Sequence, residues 1–229
     1  MVNNMYMDAK TWNAFQGCRF GCTYCVPSFQ RQAKRQRKNC ERCYDYTPHE
    51  HPERLGKIPN ASIVFVCGSA DISFCKPNYT LRILASIRQH SRKHPETTYY
   101  LQSKRPAYFT QFLDELPAAV VLVTTLETNR DKGYRRVSWA PLPSIRYRQF
   151  KSLDYPRKVL TLEPLLDFDL KGMVRRVVEL KPEYVWVGMN TRGREVRLNE
   201  PSREKVKALI RSLKRAGVEV RRKYLGEER

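Results

Sequence analysis

Five short, largely apolar runs separated by helical patterns limit what this chain can fold into. Ser62–Cys67, Thr98–Gln102, Ala119–Thr124, Lys158–Leu162 and Tyr184–Val187 are rich in β-branched or aromatic residues and are too short for helices. Runs of this kind read as strands covered on both faces. Between them, a helix over about 78–93 carries Leu81, Ile83, Leu84 and Ile87. Pro106 opens a second helix, with Tyr108, Phe109, Phe112, Leu113 and Leu116 at helical spacing before Pro117. A short helix is expected near Ser144–Phe150. Leu170, Met173, Val174, Val177, Val178 and Leu180 form another apolar face, stopped by Pro182. Pro201 opens the last helix, with Val206, Leu209, Ile210 and Leu213 on one side and Gly217 closing it. A sixth strand is expected over Lys10–Phe15 and a short last one at Val218–Val220. Strands alternating with helices imply a parallel α/β sheet with right-handed crossovers. Six βα units suit an incomplete barrel, a partial (β/α)6 fold of a single domain over residues 1–229. Residues 27–59 form a polar, basic, cysteine-containing insertion after the first strand.

In parallel βα folds the reactive groups collect at the carboxyl ends of the strands. Here those ends carry Cys18, Cys22 and Cys25; Ser69 and Asp71; Ser103, Lys104 and Arg105; Thr124, Thr125 and Glu127; Glu163; and Gly188 and Asn190. The first group is the most specific. Cys18, Cys22 and Cys25 are spaced C-x3-C-x2-C and interleaved with Gly17, Gly21, Phe20 and Tyr24. Three close thiols could be buried small hydrophobes, or could bind zinc with a distant fourth ligand. A loop with three cysteines and two glycines suits an iron–sulfur cluster better. Glycine lets the backbone turn without a Cβ clash, and three thiolates leave one iron of a four-iron cube open to a small molecule.

The chain has 229 residues and a formal net charge of +20. The basic residues cluster. Arg31, Lys34, Arg35, Arg37 and Lys38 form one group. Arg130, Lys132, Arg135, Arg136, Arg146, Arg148 and Lys151 form a second. Arg203, Lys205, Lys207, Arg211, Lys214, Arg215, Arg221, Arg222 and Lys223 form a third. Such clusters are either a solvated surface or the footprint of a polyanion, and phosphate neutralisation makes a nucleic acid the expected partner. No apolar run approaches the ~20 residues needed to cross a bilayer, so no membrane is expected. The first residues lack the basic and apolar regions of a secretory signal, and seven cysteines suit a reducing compartment, the cytoplasm.

The C-x3-C-x2-C loop after a first strand, followed by βα units, resembles the radical SAM superfamily. The resemblance implies a partial TIM-type barrel and a 4Fe-4S cluster held by Cys18, Cys22 and Cys25. It also implies S-adenosyl-L-methionine on the open iron, cleaved reductively to a 5′-deoxyadenosyl radical, and an electron donor such as ferredoxin or flavodoxin. It places Tyr24 near the adenine, Ser69 and Asp71 at the cofactor's amino group, and Thr125 and Glu127 at the ribose. Glu163 falls at ribose or substrate, or in an ion pair with Lys104 or Arg105, and the backbone at Gly188 falls near adenine. A narrower resemblance rests on Trp12-Asn13, Ser103–Pro106, Leu162–Leu166, Val185–Gly188 and Gly217–Gly226. These look like a phage-associated family of unknown function in the DNA-repair photolyase-like branch. Two departures stand out: the first two cysteines are closer together than in that family, and Gly188-Met-Asn-Thr191 replaces a Gly-Gly-Glu-Ser element.

Cys40 and Cys43, followed by His49 and His51, resemble half a zinc site, and all four could meet on one loop. A reducible disulfide and free surface cysteines are the alternatives, and Cys75 could substitute as a ligand. Cys67 lies in an expected strand and reads as core. The basic insertion, with Phe29, Tyr44 and Tyr46, could grip phosphates and stack on bases. The expected function is therefore a radical SAM enzyme acting on a nucleic acid. The alternatives are the same chemistry on a small molecule or peptide, and a non-catalytic, metal-stabilised nucleic-acid-binding protein.

Overall fold

The computed structural model describes residues 9–25, 38–191, 193–223 and 225. Phe29 and the basic residues Arg31, Lys34, Arg35 and Arg37 lie outside the described residues. The sheet is parallel and seven-stranded: β1 (Ala9–Trp12), β4 (Ile63–Val66), β5 (Thr98–Gln102), β6 (Val120–Thr125), β7 (Lys158–Leu162), β8 (Val185–Val187) and β9 (Val220–Arg222). These lie in that order across the sheet, so each of the seven pairs with the next of them along the chain. The result is a curled α/β half-barrel, as the alternating pattern requires. Residues of alternate parity divide the strands between two faces. Val64, Val66, Leu101, Val120, Leu122, Leu160, Leu162, Val185 and Val187 pack outward beneath the helices. Tyr100, Val121, Val123, Val159 and Tyr184, with Ile63, Phe65 and Trp186 against them, fill the concave face.

The covering helices are α2 (Pro77–Lys93), α3 (Pro143–Lys151), α4 (Leu170–Leu180) and α5 (Arg203–Arg215); a single turn, α1 (Glu41–Tyr44), lies near the N-terminus. Their starts follow from local chemistry. Pro77 and Pro143 sit in first turns, where a missing N–H costs nothing. The Asp169 side chain accepts from the Gly172 N–H and the Ser202 hydroxyl from the Lys205 N–H, capping α4 and α5. In α5 the apolar side Val206, Leu209, Ile210 and Leu213 is buried, each side chain contributing about 1.5–3 kcal/mol.

Three expectations are corrected. Pro106–Glu115 is a 3₁₀ helix, not an α-helix. Its buried residues, Pro106, Phe109 and Phe112, recur every three residues, which is the 3₁₀ repeat. The final strand lies at Val220–Arg222, not Val218–Val220, and brings the parallel strands to seven. The expected strand over Lys10–Phe15 is two strands. β1 ends at Trp12, because the Asn13 side chain is taken up by Ser69, donating to Oγ at 3.3 Å and accepting the Ser69 N–H at 3.1 Å. The chain then turns into β2 (Phe15–Gln16), which pairs antiparallel with β3 (His49–Glu50). This small second sheet stands directly beside the cysteine loop.

Candidate functional site

At the carboxyl ends of the strands lies a cavity of about 260 Å³. Cys18, Cys22 and Cys25 all line it, together with Asp71, Gln102, Lys104, Thr125, Thr161 and Glu163. The cysteine loop is fastened from several sides. The Thr23 N–H donates to Val137 O at 2.9 Å and the Trp139 N–H to Phe20 O at 2.8 Å. The Gly17 N–H reaches Ser69 O at 3.1 Å, and the Cys18 N–H reaches Tyr46 O at 3.4 Å. Gly17 has φ +93°, and a Cβ there would fall 2.4 Å from the carbonyl carbon of Thr47. Gly17→Ala combines a left-handed backbone with a backbone clash. It should cost at least about 1–3 kcal/mol, read as a lower urea midpoint.

The sulfurs are not equivalent. The Cys22 Sγ lies 3.0 Å from Ser138 Oγ. A hydrogen bond from Cys25, aided by Lys104, brings the Cys22 thiol down to about 6 against the effect of burial. The same bond, with burial, pushes Cys25 up; burial and then Asp71 push Cys18 up. Three thiols lining one wall, with a lysine drawing one toward thiolate, fit a cluster that binds thiolates.

The side chains expected to bind the cofactor divide into two sets. Tyr24, Asp71, Thr125 and Glu163 line the cavity. Asp71 is fixed by three donors: the Ser73 N–H at 3.0 Å, the Ser103 hydroxyl at 2.7 Å and the Lys104 N–H at 2.7 Å. Thr125 Oγ1 takes hydrogen bonds from Gln102 at 2.8 Å and Thr161 at 2.9 Å. Glu163 pairs with Lys223 at 2.5 Å, not with Lys104 or Arg105. Ser69, Glu127 and Gly188 stand outside the cavity wall. Ser69 is engaged with Asn13. The Gly188 N–H donates to Leu162 O and its carbonyl accepts the Leu165 N–H.

Glu127 is wholly buried, and its oxygens are occupied. One accepts from Tyr24, Lys104 (2.8 Å) and Tyr134 (3.1 Å); the other accepts from Arg146 at 2.6 Å. Burial opposes its ionisation, but Arg146 and then Lys104 outweigh that and hold the carboxyl far below the usual range. Arg146, grouped by sequence with the phosphate-binding candidates, is itself fully buried and also donates to Thr125 O at 2.6 Å. It braces the site from behind and does not face a ligand. Arg130 and Lys151 of the same group are paired with Asp167 and Glu179.

Gln102, Thr161 and Ser138 are not among the expected site residues, and Tyr46 and Arg146 are expected at a nucleic acid, not at this cavity. Gln102 and Thr161 had a readable signal: each is a polar residue near the carboxyl end of an apolar strand, on the parity of the concave face. The partners of Tyr46, Ser138 and Arg146 are too distant in sequence for any local signal.

Cys40, Cys43, His49 and His51 come together, with ligand atoms all within 4.8 Å of one another. Cys75 is buried elsewhere, and Cys67 is buried as expected, on the cavity wall, with burial raising its thiol to about 12. Among the described residues no helix is long and apolar enough to cross a membrane.

No protein-family model matches the chain, and no curated protein matches it. Among solved structures it is similar to a radical SAM methyltransferase from Sphaerobacter thermophilus. The TM-score is 0.59 and the identity 15%, over 96% of this chain and 67% of that one. At that identity the likeness is one of backbone, and what the two chains share is the fold, a parallel-stranded partial α/β barrel.

Proposed function

We propose that this chain is a radical SAM enzyme that modifies or repairs a nucleic acid. The observation that carries the reading is the meeting of all three C-x3-C-x2-C thiols with the polar strand ends on one cavity. When bound, a 4Fe-4S cluster and S-adenosyl-L-methionine supply an electron and a cleavable sulfonium, the source of a 5′-deoxyadenosyl radical. Cys18, Cys22 and Cys25 would hold the cluster. Asp71, already oriented by three donors, would meet the cofactor's amino group. Thr125 and Glu163 would take the ribose hydroxyls, and Tyr24 would pack near the adenine. Lys104 on the wall, with Glu127 and Arg146 behind it, leaves one net positive charge, which favours thiolate over thiol at Cys22. Phe20 and Phe65 give the cavity an apolar part of its wall.

Anaerobic reconstitution with iron and sulfide tests the chemistry. A brown protein that forms 5′-deoxyadenosine under reduction, with a chemical or flavodoxin-type donor, is expected. A colourless zinc protein would point to a non-catalytic role and reject the reading.

The substrate class rests on charge and on one exposed ring. Trp139 is 69% exposed, and its ring lies 3.4 Å from where a Cβ on Gly21 would stand, in the cysteine loop. Exposed Lys132, Arg135 and Arg136 precede it in the chain. A ring beside the reactive loop, with cations around it, suits base stacking against a backbone of phosphates. Binding to single-stranded DNA or RNA should weaken steeply with salt. Trp139→Ala should cost about 1–3 kcal/mol of affinity, roughly 5- to 150-fold. Salt-independent or undetectable binding would favour a small molecule or peptide as substrate.

A further inference from the structure

We infer that Cys40, Cys43, His49 and His51 bind one zinc ion, and that this ion clamps the cysteine loop in place. The four side chains converge as ligands do. The Cys43 Sγ lies 3.3 Å from His49 Nε2 and 3.2 Å from His51 Nε2, and the Cys40 Sγ lies 3.4 Å from His49 Nε2. Cys43, His49 and His51 are buried at 4%, 6% and 6% exposure. The far sides of both rings are committed. His49 Nδ1 stands 2.7 Å from Thr47 O, and His51 Nδ1 stands 2.7 Å from Glu53 Oε1. Neither oxygen can donate, so each ring places its proton on Nδ1 and turns an Nε2 lone pair inward. Three acceptors, the two imidazole lone pairs and the Gln16 Oε1 2.9 Å from Cys43, therefore face only the two thiol protons of Cys43 and Cys40. Hydrogen bonding cannot satisfy so many acceptors around one point, whereas a cation does. A carbonyl and a carboxylate behind ligating histidines are also the usual outer partners of a metal. Two thiolates and two neutral imidazoles make a closed tetrahedral set with no position left for substrate, which is the chemistry of structural zinc.

The segment needs such a staple. In residues 38–60 no apolar side chain other than Cys43 is buried. Metal–ligand bonds thus replace a core that this stretch lacks. What they hold lies between the two ligand pairs. Tyr46, at φ +57°, lines the cavity and accepts the Cys18 N–H through its carbonyl. The Thr47–Pro48 backbone fills the space that a Cβ on Gly17 would need. β2 and β3 then carry Gln16 and His49 side by side. The ion is therefore a positioning element for the first cluster ligand. The zinc assignment stands apart from the function proposed above, and only the effect on the loop rests on it.

The test uses the full chain and a Cys18→Ser/Cys22→Ser/Cys25→Ser variant, which has no cluster ligands. Elemental analysis should find one zinc per chain in both. Zinc-edge X-ray absorption of the full chain should fit two sulfur and two nitrogen neighbours. Cobalt replacement should give the visible bands of a tetrahedral thiolate site, lost in Cys40→Ser/His49→Ala. Substoichiometric zinc in the full chain, or a shell without two sulfurs, overturns the assignment whatever the variant does. Zinc without an iron cluster would instead overturn only the proposed enzyme. For the clamp, zinc-stripped protein should retain far less iron after reconstitution than zinc-loaded protein. Equal retention would overturn the clamp.

Discussion

Cys22→Ala should leave the chain without cluster absorbance and without detectable 5′-deoxyadenosine formation. Cys22 is the most committed of the three thiols. Ser138 and Cys25 hydrogen-bond its sulfur, and Lys104 favours its ionised form. Two remaining thiolates cannot carry a cube that three must hold. Cys75→Ala is the matched control. Its sulfur is also buried, yet it lies outside the cavity wall, so iron content and absorbance should match the unaltered chain. Iron and sulfide assays after anaerobic reconstitution, with product quantified by chromatography, read both. Retained cleavage in Cys22→Ala would mean that the cluster is held by other residues.

Arg146→Met should produce the largest loss of stability. It removes the strongest counterion from a fully buried carboxylate and leaves Glu127 with Lys104 and two phenols. Breaking a buried pair from one side costs about 3–5 kcal/mol. At about 2–4 °C per kcal/mol for a chain of this size, the melting temperature should fall by on the order of 10 °C. Glu127→Gln/Arg146→Met removes both charges and should recover part of that loss, because the two residues act as a unit. The same pair shapes the acid response. The folded carboxyl is depressed below its ordinary value of 4.5, so the stability it supplies is complete above about 4.5. That stability drains away as pH falls further, because the unfolded chain takes up the proton first. Urea midpoints measured from neutral pH down to about 3.5 should therefore fall less steeply in Glu127→Gln than in the parent chain.

The legible parts of this molecule are the local ones. β5 and β7 lie where the sequence places them, at Thr98–Gln102 and Lys158–Leu162, because a buried strand carries its signal in consecutive residues. Both cysteine clusters are legible for a related reason. Three thiols fall within eight residues, and two thiols and two imidazoles within twelve. The sequence hides what depends on distant partners. Glu127 reads as a cofactor ligand, and nothing near it in the sequence announces that Arg146, Lys104, Tyr24 and Tyr134 bond its oxygens. Arg146 reads as a surface cation until its burial is known. The break after Trp12 is equally invisible, since it follows from Asn13 meeting Ser69, 56 residues away. The 3₁₀ segment at Pro106–Glu115 reads as an α-helix for a subtler reason: Phe109 and Phe112 fit a period of three as readily as one of 3.6.

The strands lie in the sheet in the order in which they are made, and this gives assembly a timetable. Cys22 and its partner Ser138 are 116 residues apart. At about 5–20 residues per second, the ribosome needs on the order of ten seconds to supply the second after the first. Through that interval the sulfurs emerge with no wall around them, open to oxygen and to stray metal ions. For the proposed cluster, iron delivery to a nascent chain would thus precede its shelter, and loading after release fits this architecture better.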